Sequence, residues 1–137
     1  MNAALKPESP EVELELPAVP TSVRLARDAV TELARDVGAP ADDIRLAVSE
    51  AVGNAVTHAF REDRDGTIRV LAERRRNTLV VVVKDDGGGM RANSRSKGLG
   101  LGIPLITNLA AHTNFDSSER GTTVSMTFPT APAETAG

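Results

Sequence analysis

Residues 42–60 read DDIRLAVSEAVGNAVTHAF, and they combine a helical pattern of apolar residues with a row of polar ones. The apolar residues recur every three or four positions, which predicts a helix with a broad apolar surface suited to deep burial. Asp42 or Asp43 is expected to cap the N-terminus of this helix. Three polar side chains stand four residues apart and therefore fall on one face of the helix: Glu50, Asn54 and His58.

A carboxylate, an amide and an imidazole in such a row are suited to binding a hydrated Mg²⁺ and to accepting a proton from a hydroxyl group or a water molecule. A solvated helix face is the simpler interpretation, and for an arbitrary helix it is the more common one. Two glycine-rich segments further along the chain, taken together with the row, favour a ligand site over a solvated face.

The first of these segments, KDDGGG at residues 84–89, follows the most apolar run of the chain, LVVVV at residues 79–83. The run predicts a central strand that is covered on both faces. Glycines after it let the backbone approach a ligand closely, beside a carboxylate that accepts hydrogen bonds. A tight turn would explain the segment equally well when it is taken alone. A dinucleotide-binding turn is disfavoured, because Asp85 and Asp86 would lie against the pyrophosphate and residues 90–97 show no helical period.

The second segment, GLGLGI at residues 98–103, precedes a short helix predicted for residues 103–111. Backbone N–H groups at a helix N-terminus bind phosphate oxygens, and glycine permits their close approach. No Gly-Lys dipeptide occurs in the chain, which excludes a Walker A loop. The stretch between the glycine runs has no acidic residue, which is typical either of an ordinary basic loop or of a cationic cover over an anion. Its basic residues are Arg91, Arg95 and Lys97.

The remaining periodic segments complete an α+β pattern. Residues 12–16 alternate apolar side chains with glutamates, which predicts a half-exposed strand at a sheet edge. An amphipathic helix capped by Thr21 or Ser22 is expected to end at Gly38. Further strands are predicted for residues 67–73, 78–85, 112–116 and 122–128. The first two are joined at residues 74–77 by a basic turn, which is more typical of a solvated hairpin tip than of a nucleic-acid site.

The chain has 137 residues and a formal charge of −3, which fits a single soluble domain. The absence of cysteine excludes disulfides, thiol nucleophiles and cysteine-ligated zinc. With only three aromatic residues, all phenylalanine, the chain lacks the stacking platform of single-strand nucleic-acid modules. We see no signal peptide or spanning segment, and we expect a cytoplasmic protein that contacts neither nucleic acid nor membrane. The folded unit is expected at residues 11–128, with disordered tails at residues 1–10 and 129–137.

Taken together, four motifs resemble the conserved boxes of the Bergerat ATP-binding fold. Gyrase, heat-shock chaperone, mismatch-repair and histidine-kinase ATPases share this fold. The small size of the chain and residues 22–60 and 121–128 are most similar to the bacterial anti-sigma factor serine kinases, and the resemblance covers residues 12–128. The four motifs are Glu50-x-x-x-Asn54, Asp85-x-Gly87-x-Gly89, Gly98-x-Gly100-x-Gly102 and Gly121-Thr122-Thr123.

The resemblance implies a two-layer α+β sandwich, in which helices cover one face of a mixed, mostly antiparallel sheet. It also implies that Asp85 accepts a hydrogen bond from the adenine amino group, with Thr122 supporting the same site through water. Gly87 and Gly89 would leave room for the adenine. A carboxylate acceptor also explains a preference for adenine, since guanine presents a carbonyl where adenine presents an amine.

At the phosphate end, the resemblance implies that Asn54 ligates the Mg²⁺ that bridges the phosphates of ATP. Glu50 would act as the general base for phosphoryl transfer. Arg95 or Lys97 is our candidate for neutralising charge at the γ-phosphate. The second glycine segment would bind the phosphates through Gly98, Gly100, Leu101 and Gly102.

The resemblance thus implies an ATP- and Mg²⁺-dependent anti-sigma factor that sequesters a sigma factor and phosphorylates a serine or threonine of an anti-anti-sigma partner. The presence of Glu50 favours transfer, whereas the short basic stretch favours a nucleotide-gated binding module that transfers no phosphate. A detached histidine-kinase domain would need a dimerising hairpin with an acceptor histidine, which we do not see before residue 21. We expect a homodimer through the N-terminal strand and helix, with Arg24 and Arg27 contacting the sigma factor.

Overall fold

The computed structural model describes residues 9–61, 65–86, 102–118 and 121–131. Within these ranges the chain forms five strands and three helices. Their bounds are β1 Val12–Pro17, α1 Pro20–Val37, α2 Ala41–Arg61, β2 Thr67–Arg75, β3 Thr78–Asp85, α3 Gly102–Leu109, β4 His112–Ser118 and β5 Gly121–Pro129.

The strands form one sheet in the order β1-β2-β3-β5-β4. The glutamate-rich β1 lies at one edge and the apolar β3 lies at the centre, which confirms both expectations from the sequence. All four pairings between the described strands are antiparallel, so the expectation of a partly parallel sheet needs correction. The reason is the position of β5. Strands β3 and β4 run in the same direction across the α3 crossover, but β5 lies between them and pairs with both.

The hydrophobic core lies between the helices and one face of the sheet. Alternate residues of β3 belong to it, namely Leu79, Val81 and Val83, whereas Val80 and Val82 point to the opposite face. The buried face of α2 consists largely of alanine and valine, and small side chains let a helix approach a sheet closely. Its core residues are Ile44, Ala47, Val48, Ala51, Val52 and Ala55.

Helix α1 begins differently from the prediction, although it ends where expected. Its N-cap residue is Val19, and no side chain caps it. Ser22 is buried, and its hydroxyl donates to the carbonyl oxygen of Pro17 at 2.6 Å instead of capping the helix. Pro20 at the first helical position explains the difference, because proline presets the helical φ angle and removes a backbone donor that would lack a partner. At the other end Gly38 adopts the left-handed conformation with φ of 72°.

Helix α2 also begins earlier than its predicted cap. The carbonyl oxygen of Pro40 accepts a hydrogen bond from the Ile44 amide at 3.0 Å, so the helix starts at Ala41. Asp42 and Asp43 therefore lie inside the first turn rather than at the cap. In the first turn their negative charges stabilise the helix through its dipole. The two aspartates therefore indicate the N-terminal end of α2, although they are not its cap.

Strand β3 has its predicted bounds, and the other elements differ from theirs by one or two residues. Strand β2 extends through Arg75, so the turn to β3 consists of Arg76 and Asn77 alone, with a positive φ of 51° at Arg76. Helix α3 begins at Gly102 and ends at Leu109. None of the helices in the described ranges is long and apolar enough to cross a membrane.

Helix α2 offers a simple test of its stability at Gly53. No described atom lies within 4 Å of the position that an added Cβ would take. Gly53→Ala should raise the free energy of unfolding by about 0.5–1 kcal/mol, because alanine loses less backbone entropy in a helix than glycine does. Urea denaturation followed by circular dichroism measures this change.

Gly38→Ala is the matched control, and it should lower the free energy of unfolding. Gly38 has a left-handed φ angle, and an added Cβ would lie 2.5 Å from the Cβ of Ala131. A destabilised Gly53→Ala variant would show that the α2 surface is packed against something at this position.

Candidate functional site

A pocket of about 380 Å³, open to solvent, lies between α2 and the strand ends of β3, β4 and β5. Its walls are mostly apolar, and a few polar side chains converge on it, which is the usual composition of a small-molecule site. The pocket is lined by Ala51, Asn54, Ala55, His58, Val83, Asp85, Phe115, Thr122 and Val124.

Helix α2 contributes two members of its polar row to this pocket. Asn54 and His58 are half-buried and lie one turn apart, between the alanines that pack on the sheet. The Nε2 atom of His58 is shielded from solvent. Burial of these groups beside a pocket, rather than on an open surface, argues against a merely solvated helix face.

Asp85 lines the sheet side of the pocket, which we call the pocket floor, and it is the last residue of the central strand. In the sheet register it stands between Ile68 of β2 and Thr122 of β5. Its side chain is half-buried beside the apolar Val83 and Val124. A carboxylate in such surroundings is a strong acceptor for a donor group of a ligand.

Thr122 stands beside Asp85 and is almost fully buried. Its Oγ1 lies 3.3 Å from the Oγ of Ser117, and either hydroxyl can be the donor. Ser117 and the pocket-lining Phe115 did not enter the prediction from sequence. The register of the β4–β5 hairpin places Ser117 opposite Thr122, and no pattern within either strand of the sequence reveals that pairing.

Gly121 brings the start of β5 against the end of β3. It has a positive φ of 138°, a conformation that side chains other than glycine rarely adopt. A Cβ at this position would overlap the backbone carbonyl oxygen of Asp85 and lie 3.0 Å from the Cα of Asp86. The glycine is therefore required by the close approach of the two strands at the pocket floor.

A second recess of about 230 Å³ adjoins the pocket. The two share Ala55, His58 and Asp85, so the imidazole and the carboxylate lie at the boundary between them. The other residues that line the recess are Ala18, Ala59, Gly66, Thr67 and Asp86.

Of the site residues predicted from the sequence, the fold brings Asn54, Asp85 and Thr122 together around one pocket. Glu50 lies one turn before Asn54 on α2 and is half-buried, outside the residues that line the described pocket. Gly102 is the first residue of α3. The other predicted residues lie outside the described ranges: Gly87, Gly89, Arg95, Lys97, Gly98, Gly100 and Leu101.

The pocket residues are compatible with a nucleotide and with Mg²⁺. Asn54 presents an amide side chain whose oxygen is a ligand that Mg²⁺ accepts, and in nucleotide sites the remaining ligands are phosphate oxygens and water. Asp85 offers a carboxylate, which accepts hydrogen bonds and donates none. It therefore suits the amine of a neutral base and would repel a phosphate. The donor set therefore fits a base near Asp85 and a metal near Asn54.

Comparison with known families gives a match over most of the chain. Residues 16–128 match the family described as histidine kinase-like ATPase domain. The serine-protein kinase RsbW of Listeria monocytogenes serovar 1/2a is 40% identical over 63 residues, which cover 44% of this chain and 40% of the relative. RsbW of Bacillus subtilis strain 168 is 35% identical over 69 residues, or 48% and 43% of the two chains. The matched segments thus cover less than half the length of these curated relatives.

Solved structures give matches of the same kind. The RsbU and RsbW domains of a Mycobacterium tuberculosis protein align over 92% of this chain and 34% of that one, with a TM-score of 0.66 and 25% identity. The histidine kinase domain of a blue-light activated kinase from Erythrobacter litoralis aligns over 66% and 45%, with a TM-score of 0.55 and 29% identity. These matches confirm the two-layer α+β fold that the family resemblance implied.

The contact between Gly121 and Asp85 predicts that Gly121→Ala destabilises the protein. The added methyl group must displace the backbone of Asp85 and also takes an unfavourable φ angle, at a cost of about 1–3 kcal/mol in unfolding free energy. Chemical denaturation measures the loss.

Gly66→Ala serves as the control, because its added Cβ would meet its nearest neighbours at 3.4–3.5 Å, which is ordinary contact. Its unfolding free energy should change by less than about 0.5 kcal/mol. Equal stability of the Gly121→Ala variant and the native protein would show that the two strands do not need to approach so closely.

Proposed function

This chain belongs to the family of histidine kinase-like ATPase domains, and on that premise we propose that it is an ATP-dependent serine/threonine kinase and anti-sigma factor. It sequesters a sigma factor and phosphorylates a serine or threonine of an anti-anti-sigma protein. The observation that carries the proposal is the convergence of Asn54, Asp85 and Thr122 on one pocket, at the positions that the family motifs assign to nucleotide binding. The similarity to the serine-protein kinases RsbW supports the choice of acceptor.

Recognition of adenine is assigned to the floor of the pocket. The carboxylate of Asp85 accepts a hydrogen bond from the exocyclic amine, and the hydroxyl of Thr122 holds a water molecule that bridges to the base. The apolar side chains of Val83, Val124 and Phe115 provide walls for a planar ring. Guanine carries a carbonyl where adenine carries the amine, so two acceptors would face each other and GTP is rejected.

Phosphate binding is assigned to the opposite end of the pocket. Asn54 lies one turn before His58 on α2 and supplies the protein ligand for Mg²⁺. Gly102 opens α3, and its backbone N–H group, with that of Gly100, donates to phosphate oxygens at the positive end of the helix. A Mg²⁺ held by Asn54 would supply positive charge to neutralise the phosphates.

Phosphoryl transfer is assigned to Glu50. Its position on α2 one turn before Asn54, although outside the lining of the described pocket, supports this assignment. It accepts the proton of the acceptor hydroxyl as the hydroxyl oxygen attacks the γ-phosphorus, while the bond from that phosphorus to the β–γ bridging oxygen breaks and ADP leaves. Arg95 or Lys97, in the basic stretch of the sequence, neutralises the charge that develops on the transferred group.

The position of Glu50 outside the pocket lining also favours a second candidate function, a nucleotide-gated binding module that transfers no phosphate. In that case the protein binds ATP through the same Asp85 and Asn54 and only sequesters its partner. The two functions predict the same nucleotide affinity and differ in the labelling of the partner.

Partner binding is assigned to the N-terminal region, in a cytoplasmic homodimer. Strand β1 lies at an edge of the described sheet. Two apolar side chains of helix α1 and its N-cap are exposed, namely Val19 and Leu25, and Leu25 is 55% exposed. Arg24 is exposed on the same helix and is available to a sigma factor, whereas Arg27 is half-buried and lies 3.5 Å from Asp28.

Asp85→Asn should weaken ATP binding by about 1.5–3 kcal/mol, because an amide can turn a donor toward the adenine amine and removes the charge from the hydrogen bond. Isothermal titration calorimetry with ATP measures the loss. Asp43→Asn, which removes the same charge from an exposed position in the first turn of α2, should bind ATP normally. Unchanged affinity in a folded Asp85→Asn protein would refute the assignment of the adenine site.

Glu50→Ala should leave ATP affinity unchanged and lower the rate of transfer by about 10²–10⁴-fold, the usual effect of losing a general base. Asn54→Ala should weaken Mg²⁺-ATP binding and transfer together. Transfer from labelled ATP to candidate anti-anti-sigma proteins measures the rate, with Glu32→Ala on the exposed surface of α1 as the control.

Equally fast labelling by native and Glu50→Ala proteins would place the base elsewhere, with His58 the next residue to test. If the native protein binds ATP and labels no candidate partner, the second function is supported instead.

A further inference from the structure

The position of the Asp85 carboxylate depends on the backbone at the end of β3. Regular sheet pairing with β2 and β5 extends to Asp85, which is the last residue of the strand. A side chain at the end of a strand is only as well fixed as the peptide units on either side of it. The contacts of the next residue, Asp86, therefore decide how firmly Asp85 is held.

Asp86 makes two hydrogen bonds to a single residue at the start of β2. Its backbone N–H donates to the carbonyl oxygen of Thr67 at 3.3 Å. Its side-chain Oδ1 accepts a hydrogen bond from the backbone N–H of Thr67 at 3.0 Å. Ile68 pairs with Asp85, so Thr67 stands where a regular antiparallel ladder would place the partner of Asp86.

The carboxylate of Asp86 thus replaces its own main-chain carbonyl as the acceptor for Thr67. This side-chain hydrogen bond extends the ladder between β2 and β3 by one residue. A charged acceptor makes a stronger hydrogen bond than a neutral carbonyl does. Any residue except proline can supply the main-chain N–H in this pair, but only a short side chain with an acceptor oxygen can supply the second bond.

The opposite side of the same backbone is held by steric contact. Gly121 of β5 leaves no room for a Cβ against the carbonyl oxygen of Asp85 and the Cα of Asp86. The peptide unit between Asp85 and Asp86 therefore lies between hydrogen bonds from β2 on one side and the backbone of β5 on the other. The two hydrogen bonds hold this peptide unit against β2, and its contact with Gly121 blocks movement toward β5.

We propose that Asp86 is a positioning residue for base recognition, which holds the carboxylate of Asp85 at the pocket floor through its paired hydrogen bonds to Thr67. The inference rests on the proposed assignment of Asp85 to the adenine amine. It adds a requirement for an acceptor oxygen at position 86 that the nucleotide motif alone, with its unspecified residue between Asp85 and Gly87, does not contain.

The test compares Asp86→Ala with Asp86→Asn. Alanine removes the side-chain acceptor, whereas asparagine retains an oxygen at the same position and can still accept from the Thr67 amide. We expect Asp86→Ala to bind ATP about 5- to 20-fold more weakly, a smaller loss than for Asp85→Asn, because the carboxylate of Asp85 is displaced rather than removed. Asp86→Asn should remain within about 3-fold of the native protein.

The ratio of the dissociation constants for GTP and ATP distinguishes positioning from general support of the fold. Guanine carries a carbonyl at the position where the adenine amine faces Asp85, so displacement of the Asp85 carboxylate should change GTP affinity little. The ratio should therefore fall in Asp86→Ala. A merely structural role would lower thermal stability and weaken both nucleotides equally. Competition calorimetry with ATP and GTP gives the ratio, and a thermal melt of each variant confirms that it is folded.

Thr67→Ala is the matched control, because it removes the side chain of the partner and leaves in place the N–H and carbonyl groups that Asp86 uses. It should bind both nucleotides like the native protein. Native ATP affinity in Asp86→Ala, or an equal loss for ATP and GTP that asparagine does not restore, would overturn the inference. A native protein that binds no ATP would overturn the proposed function itself, and an Asp85→Asn protein with native affinity would overturn the adenine assignment.

Discussion

The contact between the backbone ends of β3 and β5 is the constraint on which the site depends. Gly121 allows the two strands to approach so closely that a single added methyl group would overlap the carbonyl oxygen of Asp85. On the other side of β3, Thr67 of β2 bonds twice to Asp86. A carboxylate held in this way can select a ligand donor by direction as well as by charge, because it loses little conformational entropy when the ligand binds.

The other wall of the site follows from the composition of α2. Alanine and valine on its buried face allow the helix to lie close to the sheet, and its polar row then borders the space that remains between them. Asn54 and His58 reach this space, while Glu50 lies one turn further toward the N-terminus. One helix thus sets the spacing of all three polar side chains, with one helical turn between successive members of the row.

Most of the fold could be predicted from the sequence, because periodicity and glycine positions are local signals. The alternation in β1, the apolar run of β3 and the left-handed Gly38 all appear where the sequence placed them. The start of α1 was wrong because proline at its first position made a capping hydroxyl unnecessary, and Ser22 became a buried donor instead. Ser117 and the role of Asp86 could not be read from the sequence, since both depend on the register between strands rather than on the pattern within one.

The most direct test of the account is a crystal structure of the protein with Mg²⁺ and a non-hydrolysable ATP analogue. We predict that the exocyclic amine of adenine lies about 3 Å from a carboxylate oxygen of Asp85, as a hydrogen bond requires. We also predict that the amide oxygen of Asn54 coordinates the Mg²⁺ that bridges the phosphates. An adenine ring bound outside the pocket between α2 and β5, or an amine that faces a group other than Asp85, would contradict the account.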